Sequence, residues 1–93
     1  MQIAVKILKC ASAGTMESSD VYVEIEPGTQ GLQVRLESVV AQQFGDEIRD
    51  VVLDVLKEQN VENANVRIVD RGALECVIRA RVETAVIRGK EGA

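Results

Sequence analysis

The sequence predicts an α+β domain: a small antiparallel sheet of about four strands with two helices packed on one face. Three observations carry this. Apolar and polar residues alternate in several short runs, the period-two signature of half-buried strands. One long stretch, 39–59, instead repeats its apolar residues at helical spacing. The chain has 93 residues, 46% hydrophobic and 28% charged, which is material for one folded unit and no more. Residues 1–93 are therefore read as one domain.

In chain order, Ile3, Val5 and Ile7 alternate and suggest an N-terminal strand within 1–10. Cys10–Met16 is small and extended-looking. It can pair with 20–26 across the tip Glu17-Ser18-Ser19-Asp20. Val21, Val23 and Ile25 alternate with Tyr22, Glu24 and Glu26, which is a half-buried strand. Glu26-Pro27-Gly28-Thr29-Gln30-Gly31 has turn chemistry. Leu32, Val34 and Leu36 then alternate with Gln33, Arg35 and Glu37, so the two runs read as a hairpin. In 39–59, Phe44, Ile48, Val51, Val52, Val55 and Leu56 form one apolar stripe, with Ser38 placed as N-cap. Gly45 weakens that helix by about 1 kcal/mol and marks a candidate kink. Asn60–Asn63 ends it. Val66 and Ile68 alternate with Arg67 and Val69 in a short strand, and Asp70-Arg71-Gly72 is a turn.

Residues 73–88 support two readings. A helix gathers Leu74, Val77, Ile78, Val82, Ala85 and Val86 on one side, with Arg81 in the middle of that arc. A strand puts Arg79 and Arg81 together on one face. Sixteen residues is long for a strand and ordinary for a helix, and the Ala, Leu, Glu and Arg content favours helix. The helix is the reading taken, and residues 90–93 are left as a tail. With Tyr22 and Phe44 the only aromatics, the core is built from Val, Ile, Leu and Ala. Tyr22, Glu24, Arg35 and Arg67 are expected to face water or a partner.

Charge and composition narrow the function. The net charge is −4, which disfavours nucleic acid as a partner. The bases gather late, with six of the eleven in 67–93, but they form no nucleic-acid stripe. No apolar run approaches the roughly 18 residues of a membrane span. Lys6 and Lys9 interrupt the first ten residues, unlike a secretory signal. Cytoplasm is the expected location. The chain has no His, so the commonest general base and metal ligand is missing. Cys10 and Cys76 make neither a disulfide framework nor a zinc set. Cys76 follows the apolar pattern and is expected in the core, and Cys10 is expected to be partly exposed. No catalytic and no metal-binding residue is assigned.

The chemically informative stretch is Ala13-Gly14-Thr15-Met16-Glu17-Ser18-Ser19-Asp20. On its own it is a polar hairpin tip, since Ser and Asp bond their own backbone in turns. It also presents a hydroxyl where another enzyme can reach it. The chain has no His to activate that hydroxyl, so it is not a self-sufficient nucleophile.

This stretch, continued by Val21, resembles the attachment motif of the citrate lyase acyl carrier (gamma) family, roughly Ala-Gly-Thr-Leu-Glu-Ser-Gly/Ser-Asp-Val. Other segments agree in order and spacing. They are Ile25-Glu26-Pro27, Gln43-Phe44-Gly45-Asp46-Glu47-Ile48-Arg49, Val52-Leu53-Asp54-Val55-Leu56, and the run from Asp70-Arg71-Gly72 to Glu83. The resemblance spans roughly residues 11–89; residues 1–9 extend beyond it.

The resemblance implies a carrier without catalytic function of its own. Ser18 would carry a 2′-(5″-triphosphoribosyl)-3′-dephospho-CoA group through a phosphodiester. Ser19 matches a position where the family also accepts Gly. The implied partners are the alpha (CoA-transferase) and beta (citryl lyase) subunits and the enzyme that attaches the group. A tethered thioester would shuttle between the two active sites at high effective concentration. Glu17 and Asp20 gain nothing from a nearby phosphodiester, so they are assigned to the turn or to the attaching enzyme. Arg79 and Arg81 are expected in solvated salt bridges, with contact to phosphate or a partner subunit as the alternative. Two other readings stand beside this one: a malonate decarboxylase carrier with the same kind of arm, and an unmodified α+β interaction domain.

Overall fold

The computed structural model describes residues 4–38 and 41–90. The elements are β1 (Ala11–Gly14), β2 (Val21–Pro27), β3 (Leu32–Ser38), α1 (Ala41–Glu58), β4 (Ala64–Asp70) and α2 (Glu75–Lys90). Four strands and two helices form an α+β fold and not a helix bundle, as the alternation patterns predict. Cys10–Met16 contains β1, which pairs antiparallel with β2 in the register Ala11–Ile25 to Gly14–Tyr22.

The strand order is β1-β2-β4-β3, and it corrects the expected hairpin. β2 and β3 are not neighbours, because β4 lies between them. β4 runs antiparallel to β2, from Val21–Asp70 to Pro27–Ala64. It runs parallel to β3, from Leu32–Ala64 to Ser38–Asp70. The sheet is therefore mixed rather than antiparallel throughout. α1 supplies the crossover that a parallel pair requires. The loop after Pro27 spans two strand spacings, about 10 Å, which four residues cover when extended. It is fastened to the start of β4. Gly31 N–H donates to Asn63 Oδ1 at 2.8 Å, and Ala64 N–H donates to the Gly31 carbonyl at 3.1 Å.

One sheet face carries Ala13, Val21, Val23, Ile25, Val66 and Ile68, all buried. α1 lies towards β3 and α2 towards β1 and β2. Ile48, Val52, Val55 and Leu56 from α1 meet Ile78, Val82, Ala85 and Val86 from α2 in one core. α1 continues through Gly45. Its end is a Schellman motif: Val61 N–H donates to the Leu56 carbonyl and Asn60 N–H to the Lys57 carbonyl. Asn60 takes the left-handed position at φ 62°, a role Asn fills when Gly does not.

Four further expectations change. Phe44 is 45% exposed: it stands where α1 leaves the end of β3, one turn before the buried stripe begins at Ile48. Leu74 is 70% exposed, because it precedes α2 and caps the helix with its carbonyl, which accepts from Val77 and Ile78. Cys76 is exposed, since it lies on the opposite side of α2 from Ile78. Residues 4–10 form no strand of the sheet. Val5 makes an isolated bridge to Val61, Ile7 enters the core, and the Leu8 and Lys9 amides donate to the Gly89 carbonyl. Ser38 closes β3 and its hydroxyl donates to Asp70 Oδ2 at 2.8 Å. The cap position assigned to it borders residues 39–40, outside the described residues.

Candidate functional site

The β1–β2 tip is a tight turn whose geometry is set by its small residues. Asp20 N–H donates to the Glu17 carbonyl at 3.1 Å, so Ser18 and Ser19 are the two central residues. Ser19 has φ 65° and Ser18 is not among the positive-φ residues. That is the type II pattern, in which the second central residue is usually Gly. It explains physically why a Ser/Gly alternation fits position 19. Ser18 occupies the first central position and is exposed. Among the described residues its hydroxyl has no hydrogen-bond partner.

The tip is rigid because Asp20 gathers it. Thr15 Oγ1 donates to Asp20 Oδ2 at 2.7 Å and accepts from Glu17 N–H at 3.2 Å. Val21 N–H donates to Asp20 Oδ1 at 2.7 Å. Arg81 reaches from α2 with Nε on Oδ1 at 3.2 Å and Nη2 on Oδ2 at 3.1 Å. This two-pronged pairing is the geometry that suits guanidinium and carboxylate. The Thr15 hydroxyl, followed by the Val21 amide, lowers the Asp20 carboxyl to about pKa 2; desolvation opposes this, and Arg81 adds a smaller lowering. Arg81, which argued against the helix, is thus on a helix and directed at the tip.

Gly14 admits no side chain. Its φ is +88°, and a Cβ there would lie 1.9 Å from the Val21 carbonyl oxygen, so β1 can only leave the sheet this way with glycine. On the other side, the tip is tied to the β4–α2 turn. Ser19 N–H donates to the Arg71 carbonyl at 2.8 Å, and Arg71 N–H donates to the Asp20 carbonyl at 2.9 Å. That turn is itself held by Asp70, 1% exposed. Asp70 Oδ1 accepts from the amides of Gly72 and Ala73.

The sequence-derived assignments meet this geometry as follows. Ser18 is at the apex. Asp20 serves the turn. Glu17 is exposed, and its backbone closes the turn. Arg79 pairs with Glu58 at 2.6 Å and Arg81 with Asp20, so both make the expected salt bridges. Cys10 is exposed and Cys76 is too, so neither is a core thiol. No cluster of potential metal ligands occurs among the described residues. The sequence reading gave no separate role to Gly14, Thr15 or Arg71. The Thr15–Asp20 spacing across a hairpin tip was the available signal for Thr15. Nothing local signalled Arg71, because its contact with the tip is made across the sheet.

The open sheet face carries a second polar group. Arg67 bridges Glu24 at 3.4 Å and Glu37 at 3.5 Å, and Tyr22 donates its hydroxyl to Glu24 at 2.9 Å. A shallow groove crosses this face between Ser12, Tyr22, Arg35 and Arg49.

Comparison with known proteins gives concordant relatives. A family profile described as "ACP: Malonate decarboxylase delta subunit (MdcD)" matches residues 9–89. "Citrate lyase acyl carrier protein 2" of Salmonella typhimurium is 51% identical over 87 residues, covering 92% of this chain and 90% of that protein. "Citrate lyase acyl carrier protein" of Latilactobacillus sakei is 45% identical over 84 residues, covering 90% and 83%. Among solved structures, a chain of a Pseudomonas malonate decarboxylase hetero-tetramer in complex with malonate superposes with TM-score 0.78. It is 22% identical and covers 95% of this chain and 91% of that one, so the likeness is one of fold.

Proposed function

The chain belongs to the citrate lyase acyl carrier protein family, and we propose that Ser18 is where it bears its acyl-carrying arm. The observation that supports this is the state of the Ser18 hydroxyl: exposed, without a hydrogen-bond partner, and at the apex of a turn locked by Asp20. Attachment asks for a hydroxyl presented at fixed geometry to another enzyme, and the tip supplies one. Ser19 is less suited, because its amide is committed to Arg71 and its left-handed backbone suits Gly.

The arm is a 2′-(5″-triphosphoribosyl)-3′-dephospho-CoA derived group, joined as a phosphodiester. On attachment the Ser18 O–H bond is replaced by an O–P bond and pyrophosphate leaves the donor. The proton goes to a base of the attaching enzyme, since this chain has no His and no carboxylate bonded to Ser18. When bound, the group supplies a thiol for thioester chemistry. The chain itself holds that thiol's tether at a fixed point and does no bond-breaking. Its partners are the transferase (alpha) and lyase (beta) subunits of a citrate lyase and the attaching enzyme, with no nucleic acid and no membrane. Among the described residues no helix is long and apolar enough to cross a membrane, which suits a cytoplasmic complex.

The test is the intact mass of chain purified from its native host, followed by peptide mapping. One added group on 17–20 is expected, absent in Ser18→Ala and kept in Ser19→Ala. Modification that survives Ser18→Ala refutes the assignment. The name of the matching profile favours malonate decarboxylase as a second reading. Reconstitution decides it: loaded chain should restore citrate cleavage to the citrate lyase subunits and not malonate decarboxylation to the other set.

A further inference from the structure

We infer that Arg71 is the counter-cation of the phosphodiester on Ser18, a positioning residue that holds the root of the arm against the protein; this rests on Ser18 being the attachment site.

The arginines sort themselves by occupation. Arg67 is engaged by Glu24 and Glu37, Arg79 by Glu58 and Arg81 by both oxygens of Asp20. Arg49 donates to the Val34 carbonyl and Arg88 to the Ser12 carbonyl. Among the described residues only Arg35 and Arg71 have guanidiniums without an ion pair or hydrogen bond. Arg35 is paired in register with Arg67 in the middle of the β3–β4 ladder, away from the tip. Arg71 is exposed, and its backbone is hydrogen-bonded through both N–H and C=O to Asp20 and Ser19. Ser19 is the residue next to Ser18.

The charge balance at the tip points the same way. Asp20 keeps its negative charge, and Arg81 answers it. A phosphodiester on Ser18 would add a new negative charge near Glu17 and Asp20, with Arg81 already committed. Arg71 is an uncommitted arginine whose backbone is bonded to Ser19 and Asp20. Strand pairing sets Cα atoms about 5 Å apart, a distance an arginine side chain spans. Its planar fork suits two phosphate oxygens at once. The backbone bonds fix where the side chain starts. The contact therefore costs little ordering beyond the side chain itself.

The experiment uses the full chain in unloaded and loaded forms, with loading checked by intact mass. The 15N-edited spectrum of the Arg71 Nε–H is compared between the two forms, and the 31P shift of the phosphodiester is recorded. Loading is expected to move the Arg71 Nε–H and slow its exchange about tenfold. Arg71→Ala should move the 31P signal to the position it has in a loaded 13–22 peptide. Arg71→Lys should leave it between the two, and Arg35→Ala should change nothing. A loaded chain with an unchanged Arg71 signal overturns the inference while leaving Ser18 as the site. Should Arg71→Ala resist loading, the wild-type comparison decides alone. A native chain with no mass on Ser18 removes the premise as well, and that outcome is read separately, from the mass.

Discussion

Gly14→Ala should damage the β1–β2 tip in proportion to a contact that can be isolated by a matched control. Gly14 has φ +88°, and an added Cβ would lie 1.9 Å from the Val21 carbonyl oxygen and 3.2 Å from Arg81 Cδ. Gly31 has nearly the same backbone angle, φ +80°, with nothing within 4 Å of its added Cβ. Each Ala therefore carries the left-handed penalty of about 1–2 kcal/mol. Only Gly14→Ala must also push backbone aside, which adds about 1–3 kcal/mol by analogy with overpacked sites. A domain of this size has about 5–10 kcal/mol in all. In urea, with a slope of about 1 kcal/mol per molar, the midpoint should fall by about 1–2 M for Gly31→Ala and by about 2–5 M for Gly14→Ala. The displaced Val21 carbonyl sits one residue from Asp20, and the displaced methylene belongs to the arginine that holds it. Loading of Ser18, followed by mass against time, should slow in Gly14→Ala under folding conditions and stay normal in Gly31→Ala. Equal midpoint shifts in the two variants would refute the steric argument. Normal loading in a destabilised Gly14→Ala chain would show that the attaching enzyme reads the tip as a linear segment.

Ile48→Ala removes a buried side chain from the meeting point of α1 and the sheet and should cost about 2–5 kcal/mol. Asp50→Ala, exposed on the same helix, should be nearly silent in the same thermal melts. Ser19→Gly relieves a positive φ of 65° and should stay within about 1 kcal/mol of wild type, with loading on Ser18 unchanged by mass. The Asp20 carboxyl is lowered to about pKa 2 in the fold against about 4 in an unfolded chain. Its stabilisation is therefore fully present above about pH 4 and is lost as pH falls towards 2. Acid unfolding followed by circular dichroism should lose that component in Asp20→Asn, and an unchanged acid limb would remove Asp20 as the tip's organiser.

How much of this was legible in the sequence depends on the range of the interaction. β2, β3, β4 and α1 were visible because burial on one face imposes a period, and Val21-Val23-Ile25 or Ile48-Val52-Val55 display it. The order of the strands was not visible. A turn at Pro27-Gly28 between two alternating runs looks the same whether the strands touch or leave room for a third. α2 was blurred because Cys76, Ala80 and Ile87 put apolar atoms on its exposed side and Arg81 interrupts the other. The reason for Arg81 lies 61 residues away at Asp20. At the site, motif resemblance singled out Ser18, which the structure places at the apex of the turn, and the local Asp20 role was legible through turn chemistry. Gly14 was quoted without its reason, because the Val21 carbonyl that crowds it is opposed only once the hairpin closes. Arg71 was hidden for the same kind of reason, since its neighbours at the tip are set by the β2–β4 register.

The insertion of β4 between β2 and β3 fixes when, during synthesis, the carrier becomes a carrier. Ser18 leaves the ribosome early, but the strand that braces its turn and the arginine that clamps Asp20 come from residues 64–81. Until then β2 has only the short β1 beside it, and β3 has no partner in the sheet. An attaching enzyme that reads the folded tip thus finds no substrate on a nascent chain or on one broken before β4. If Ser18 bears the arm as proposed, the arm would go only to chains already made through α2, and a serine near the front of the protein would report on the integrity of its back.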